Sequence, residues 1–401
     1  MIVYILGITF TTLFSFVYEI YSIKTNKVVS VFIFLLTLLP LSVIAGVRDY
    51  SIGTDVTSYI LPNFQFAQQF NNYFSFNDSI YGLQGGFGWF FGVTGAVRPT
   101  EFGFNFLTFL LSRFTNTPHL LMFMIQFITI FFVMLSVREF KKIYNNISIP
   151  LSMFIYSSVL FLAGLNEMRQ FMAASILLYA LIMFIEGRYI KYALFQFLAF
   201  SIHVTSLMGI LFVFVFLMVS MKQKLKISRK RPFFLGIVLI VLFALFGRIS
   251  LNIIRISLSA IPFLANHLGS FDDTGGFPFR RIIVFLLSGV TFTFLYFLLS
   301  KKTSFDFKES RILVWFNIII LSGMALNTLY VAQTSIPRLG DYARFVTILA
   351  IPLLISQMTK IKRLYSIYLV IILGILVIGY TAYSGQNEVF PYLSDILNIT
   401  K

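Results

Sequence analysis

The stretch Pro118 to Val137, PHLLMFMIQFITIFFVMLSV, decides the fold. Its 20 residues contain no Asp, Glu, Lys or Arg, and about 20 apolar residues is the length a helix needs to cross the hydrocarbon core of a bilayer. The run then stops on Arg138, Lys141 and Lys142. This alternation of a long apolar run with a short basic segment repeats along the chain, so the reading made here extends outward in both directions.

Similar runs lie at 2–22, 28–47, 149–166, 170–187, 233–250, 281–300, 311–331, 343–359 and 364–383. With the first they make ten expected crossings, and the chain reads as an all-α integral membrane protein, one polytopic domain with about ten transmembrane helices. Composition agrees. Of 401 residues, 58% are hydrophobic and 11% charged, with a mean hydropathy of +0.88, against roughly half apolar and a quarter charged in soluble domains. No separate soluble domain is visible. The absence of cysteine removes disulfides, thiolate metal sites and a cysteine nucleophile from consideration. The 50 Phe residues carry no functional weight, since with abundant Ile, Lys and Asn they read as a coding bias.

The formal charge of +16 could be a nucleic-acid signal, so the location of the cations decides. They cluster at Lys24 and Lys27, at Arg138 to Lys142, at Arg188 and Lys191, from Lys222 to Arg231, at Lys301 and Lys302, and from Lys360 to Arg363. These are short loops between spans. The positive-inside rule assigns them to the cytoplasm and explains the charge without nucleic acid. Both termini are then expected outside, with the first span retained because no basic leader region or small-residue cleavage site accompanies it.

Residues 191–219 break the alternation, because basic loops flank them on both sides. The segment is too short for two full spans and is read as a re-entrant pair of half-helices meeting at Ser201-Ile202-His203. Non-helical backbone at that depth is tolerated only where it is buried in protein or lines a wet cavity. Two outer segments are also long. Residues 48–117 hold the glycine-rich, aromatic Tyr81 to Trp89 and a short apolar run, Phe102 to Phe114. Residues 251–280 hold the turn signal Phe271-Asp272-Asp273-Thr274-Gly275-Gly276. No internal repeat is evident.

Ionisable residues near membrane depth are expensive and mark function by default. They collect on the outer side: Arg48, Asp49 and Asp55; Glu167 and Arg169; Arg248; Arg280 and Arg281; Arg338, Asp341 and Arg344. The positive-inside rule offers no reason for arginines there, whereas the guanidinium fork suits phosphate oxygens. Arg48, Asp55, Arg169, Arg280, Arg281, Arg338 and Arg344 are therefore the expected phosphate-site residues, with snorkelling or local ion pairs as the plain alternative. Arg338, Asp341 and Arg344 share one helical face by spacing, and either form an ion cluster or leave one arginine for ligand.

Glu167 and Arg169 sit in a connection too tight for a loop, Asn166 to Gln170, and read either as a salt bridge or as a general base beside a phosphate ligand. His203, at the expected helix break, is the other candidate base or hydrogen-bond donor. His119 and His267 lack comparable context, and three scattered histidines make no metal site. Asp272 and Asp273 read as a solvated turn, and with arginines available no metal is required.

Several segments resemble the EpsG-like branch of the Wzy polysaccharide polymerases: Val47-Arg48-Asp49-Tyr50-Ser51-Ile52-Gly53-Thr54-Asp55 followed by Tyr59; Arg98 to Phe104; Met168-Arg169-Gln170-Phe171-Met172-Ala173-Ala174; and Ala199 to Ser206. Order and spacing match over roughly 48–215, with Arg338 to Arg344 a weaker match. The resemblance implies a GT-C-like fold in the bacterial inner membrane and a metal-independent, inverting glycosyl transfer on its outer face. The growing glycan would pass from one undecaprenyl pyrophosphate carrier to the nonreducing-end sugar of a second carrier-linked repeat unit. No cofactor is implied; a flippase and a chain-length regulator are the implied partners. Arg48, Asp55, Arg169 and His203 are the family-motif positions. Thr100-Glu101-Phe102-Gly103 departs from the commoner Glu-Pro-Gly wording and leaves the role of Glu101 open.

Three rival readings share some of these features. A lipid-linked oligosaccharide flippase would show a dozen even spans and short outer loops. An O-antigen ligase uses the same donor and differs in acceptor, and a secondary transporter favours inverted repeats and midplane acids.

Overall fold

The computed structural model describes residues 1–22, 26–82, 97, 100–223, 307–328, 335–385 and 388–400. The expected spans at 233–250 and 281–300, the segment 251–280, and Arg98, Arg248, His267, Asp272, Asp273, Arg280 and Arg281 lie outside the described residues. The chain divides into two compact units, one formed by Met1–Leu207 with Gly374–Lys401 and the other by Met208–Leu373. Among the described residues every regular element is helical, apart from one isolated bridge between Ser394 and Ile399.

In the first unit, α1 (Ile2–Tyr21) and α2 (Lys27–Gly46) pair with each other. Asn26 starts α2 by accepting from the Val28 N–H at 3.2 Å, as an N-cap side chain does. A π turn (Val56–Ile60) then runs into α3 (Leu61–Ala67), followed by α4 (Tyr73–Gly82) and α5 (Phe102–Leu111). Next comes α6 (His119–Ile143), the helix built on the opening apolar run. Lys141 and Lys142 lie in its last turn, where cations meet the unpaired carbonyls of a helix end.

The expected span at 149–166 is not one regular helix. It is α7 (Ile149–Ile155), a π turn (Tyr156–Leu160) and α8 (Phe161–Gly164). Tyr156, in the π turn, is buried and its hydroxyl accepts from Gln126 Nε2 of α6 at 2.8 Å. Next, α9 (Met168–Ile185) ends at Gly187, whose φ of +75° suits a residue without a side chain. Then α10 (Tyr189–Ile202) stops at His203, which is extended, and a 3-10 turn (Val204–Leu207) follows. Helices α1 and α7, α2 and α6, α6 and α9, α9 and α10, and α10 and α5 pack in pairs. The outward faces carry bare apolar side chains such as Ile2, Leu6 and Leu13 of α1 and Leu194 and Phe197 of α10, as lipid-facing surfaces do.

The second unit holds α11 (Met208–Gln223), α12 (Phe307–Thr328), α13 (Ser335–Ser356) and the start of α14 (Lys360–Ser384). Trp315 of α12, fully buried, donates to the Phe212 carbonyl of α11 at 2.8 Å. Six helical segments among the described residues are long and apolar enough to cross a membrane: Ile2–Tyr21, Lys27–Gly46, His119–Ile143, Met168–Ile185, Arg338–Ser356 and Lys360–Ser384. Five further apolar helices are shorter.

Candidate functional site

The polar centre of the first unit forms where the start of α5, the start of α9 and the break after α10 converge. Glu101 immediately precedes α5 in an extended conformation. Local bonds hold it there: Asn105 Nδ2 donates to the Thr100 carbonyl at 2.9 Å, the Tyr73 hydroxyl donates to the Phe102 carbonyl at 2.9 Å, and Thr100 and Asn105 also bond through their side chains. Gly103 lets α5 approach α10 closely, since a Cβ there would collide with Ser201.

The Glu101 carboxylate joins the other two elements. Oε2 accepts from Arg169 Nη1 at 2.7 Å, and Oε1 accepts from the Val204 N–H at 3.0 Å and meets His203 Nδ1 at 2.6 Å. The break in α10 therefore does two things at once, freeing a backbone N–H at Val204 and turning the imidazole toward the same oxygen. Burial pushes the Glu101 carboxyl up, but Arg169, His203 and the Val204 N–H together outweigh it and hold the pKa down to about 2. A carboxylate that stays ionised can only accept, so Nδ1 carries the hydrogen. In the neutral ring this leaves Nε2 as the acceptor.

Arg169, one residue into α9, is held on a second side by aromatic faces, with its guanidinium carbon 4.6 Å from the Tyr59 ring centroid and 5.7 Å from that of Phe104. Tyr59 sits in the π turn ahead of α3, a distortion often found at functional sites. The Arg169 side chain is 13% exposed, and its Nε has no hydrogen-bond partner among the described residues. Glu167 stands two residues earlier, buried, as the residue preceding α9, with its backbone N–H bonded to the Ala163 carbonyl at 2.9 Å. The carboxylate that pairs with Arg169 is thus Glu101, 68 residues away in sequence.

Beside this cluster lies a groove of about 390 Å³ with apolar walls. It starts at Gly103, Met172 and Ile202, each within three residues of Glu101, Arg169 or His203. It extends along Phe106 and Leu107, along Ile176, along Leu198, and along α6 from Met124 to Phe132. Phe132 closes ring contacts with Tyr179 and Phe195.

Arg48 is placed differently. It follows α2, is 0% exposed, and donates from Nη2 to the Leu165 carbonyl at 2.7 Å and to Met168 Sδ at 3.1 Å. Burial lowers its pKa to about 10, against the pull of Tyr4, Tyr392 and Asp55, so it stays charged at neutral pH. Asp55 is buried just ahead of the π turn. The C-terminal tail covers this corner. Tyr4 OH donates to the Val389 carbonyl at 2.7 Å, Tyr392 OH to the Ile44 carbonyl at 3.1 Å, and the Asp49 N–H to the Leu393 carbonyl at 2.9 Å.

In the second unit, Arg344 Nη1 donates to Asp341 Oδ1 at 2.8 Å, both residues being buried on α13, while Arg338, about one turn before Asp341, is partly exposed. His119, stacked on Tyr50 at 4.8 Å, bonds through Nδ1 with the Gly46 carbonyl. No group of His, Asp and Glu among the described residues has the geometry of a metal site.

Sequence reading singled out Arg169 and His203 but left open the residue that links them. The signal for Glu101 was its place directly before an apolar run too short to span, inside one of the quoted motifs.

Fold and site together define a multi-pass, all-α membrane protein whose buried polar centre is an Arg–carboxylate–His constellation at helix ends. The EpsG family model matches residues 31–394, nearly the whole chain, and the chain belongs to that family. The membership points to glycosyl transfer in polysaccharide biosynthesis. No curated protein and no solved structure matches the chain significantly.

Proposed function

We propose that this chain polymerises undecaprenyl-pyrophosphate-linked oligosaccharide repeat units on the outer face of the bacterial inner membrane. The growing glycan moves to the nonreducing-end sugar of an incoming lipid-linked unit by metal-independent, inverting transfer. The observation that carries this reading is the Glu101 carboxylate bonding Arg169 with one oxygen and His203 with the other. Family membership supports the same class of chemistry.

In this reading Glu101 fixes the His203 ring so that Nε2 takes the proton from the acceptor hydroxyl, as an oriented imidazole does in hydrolytic triads. The acceptor oxygen attacks the anomeric carbon from the face opposite the leaving group. The bond from that carbon to the pyrophosphate oxygen breaks, its electron pair stays on the phosphate, and configuration inverts. Arg169 stabilises the charge that develops there. Its bond to Glu101 uses Nη1, which leaves other guanidinium N–H groups outside that bond, and a preorganised guanidinium suits two phosphate oxygens. The apolar groove that starts beside Gly103 and Ile202 suits the hydrocarbon chain of a lipid-linked substrate. In this reading an anionic head and an apolar tail lie against neighbouring parts of one unit.

The test is ladder formation by the purified protein in detergent with synthetic undecaprenyl-pyrophosphate-linked repeat units. Wild type should yield a ladder, and Arg169→Ala and His203→Ala should abolish it with the fold intact. A single transfer to a lipid-A-type acceptor with no ladder would replace polymerase by ligase.

A further inference from the structure

The conspicuous arginine of the Val47–Asp55 motif does not face the groove or the Glu101 cluster. Apart from the bonds of Val47 and Asp49 to the C-terminal tail, three residues of that motif converge on one turn, Leu165 to Met168, between α8 and α9. Arg48 donates to the Leu165 carbonyl at 2.7 Å and touches Met168 Sδ at 3.1 Å. Thr54 Oγ1 donates to Asn166 Oδ1 at 2.6 Å. Gly53, at φ +86°, lies so close that a Cβ on it would come within 2.5 Å of the Leu165 carbonyl oxygen, an approach only glycine permits. The next residue after this turn is Arg169.

A charge buried this completely needs compensation: Asp55 adds to the field that favours it, Nη2 bonds the Leu165 carbonyl and Met168 Sδ, and Nε and Nη1 have no hydrogen-bond partner among the described residues. What stands opposite it is the C-terminal end of the helical run Ile149–Gly164, whose last carbonyls carry partial negative charge. That environment attracts a guanidinium and repels an anion. The C-terminal tail, bonded at Ile44, Val47 and Asp49, closes the corner from the other side. Arg48 is 0% exposed between this turn and the tail.

We propose that Arg48 is a positioning residue: it braces the Leu165–Met168 turn from the helix C-terminus and thereby sets where Arg169 stands relative to Glu101 and His203. The catalytic part of this inference rests on the polymerase reading above; the bracing part does not. Gly53 and Thr54 complete the same cradle, Gly53 by allowing the approach and Thr54 by holding Asn166.

Two measurements on the full-length protein in detergent test the proposal and keep its two parts apart. Hydrogen exchange of the 163–171 backbone should speed up about tenfold or more in Arg48→Met, with the middle of α6 unchanged, and Arg48→Lys should fall between it and wild type, because opening a local unit raises exchange only within that unit. Thr54→Val, which loses a single bond, should shift the same peptides in the same direction by a smaller factor and serves if Arg48→Met does not fold. In ladder assays Arg48→Lys should lower kcat by about 10²-fold, the scale of a misplacement near 1 Å, with KM for the pyrophosphate-linked substrate unchanged. Unaltered exchange in both Arg48→Met and Thr54→Val overturns the brace. A KM that rises while kcat holds overturns it in favour of direct phosphate binding. If wild type forms no ladder but exchange responds as stated, the brace stands and the polymerase reading falls.

Discussion

Two arginine–carboxylate pairs look alike by distance, Arg169 with Glu101 at 2.7 Å and Arg344 with Asp341 at 2.8 Å. They differ in how they are made. Arg344 and Asp341 are three residues apart on α13, so the pair forms as soon as the helix does. Arg169 and Glu101 are 68 residues apart, start two different helices, and meet only when α5, α9 and α10 have packed. The second pair also has a third member, His203, on the carboxylate's other oxygen. A local pair neutralises charge within one helix; the non-local one uses its carboxylate to align a cation and an imidazole from separate elements. That is why we place the chemistry at Glu101.

The sharpest way to break this contrast is Glu101→Gln, which keeps the shape but removes the charge that holds Arg169 and orients His203. Initial rates of ladder formation should fall by about 10³-fold or more, the scale of losing the orienting carboxylate of a triad. Next in size is the comparison of Arg169→Lys with Arg344→Lys. Losing the guanidinium fork should lower kcat by about 10²-fold at position 169 and by no more than a few-fold at position 344. Equal losses would mean that the α13 pair takes part in the reaction as well.

Asp341→Asn should show its effect in stability instead. Leaving Arg344 without this carboxylate should cost on the order of 1–3 kcal/mol, read as a lower Tm in detergent with kcat preserved below the transition. The smallest effect is in acid. The Glu101 carboxyl has its pKa depressed from the usual 4.5 to about 2, so its contribution to stability is complete above pH 4.5 and is lost only as pH falls through that window. A pH series of melting curves should lose this acid-side slope in Glu101→Gln.

The long spans were legible because apolar length is a local property: the runs expected at 2–22, 28–47 and 118–137 match α1, α2 and α6 to within a few residues apart from the basic end of α6, which continues to Ile143. The helix break at His203 was legible for a related reason, since basic segments on both sides excluded a single crossing and the stretch between them was too short for two full spans. The π turns were not, because Tyr156 to Leu160 is apolar like its flanks, and a one-residue widening of a helix leaves no compositional trace. Glu101 and Arg48 mark the other limit. Sequence shows that a charge is near the membrane, but whether it meets a carboxylate 68 residues on or a carbonyl 117 residues on is decided by packing.

The C-terminal tail has a consequence for biosynthesis. Ser394 bonds the Val47 carbonyl across 347 residues of chain, so the corner that encloses Arg48 is finished by residues that leave the ribosome long after α1 and α2 have been inserted. Until then Arg48 has its carbonyl partner but no roof. A ribosome that stalls between α10 and the tail would thus leave in the membrane a chain whose helices α1 to α10 have been made but whose Arg48 corner is still open.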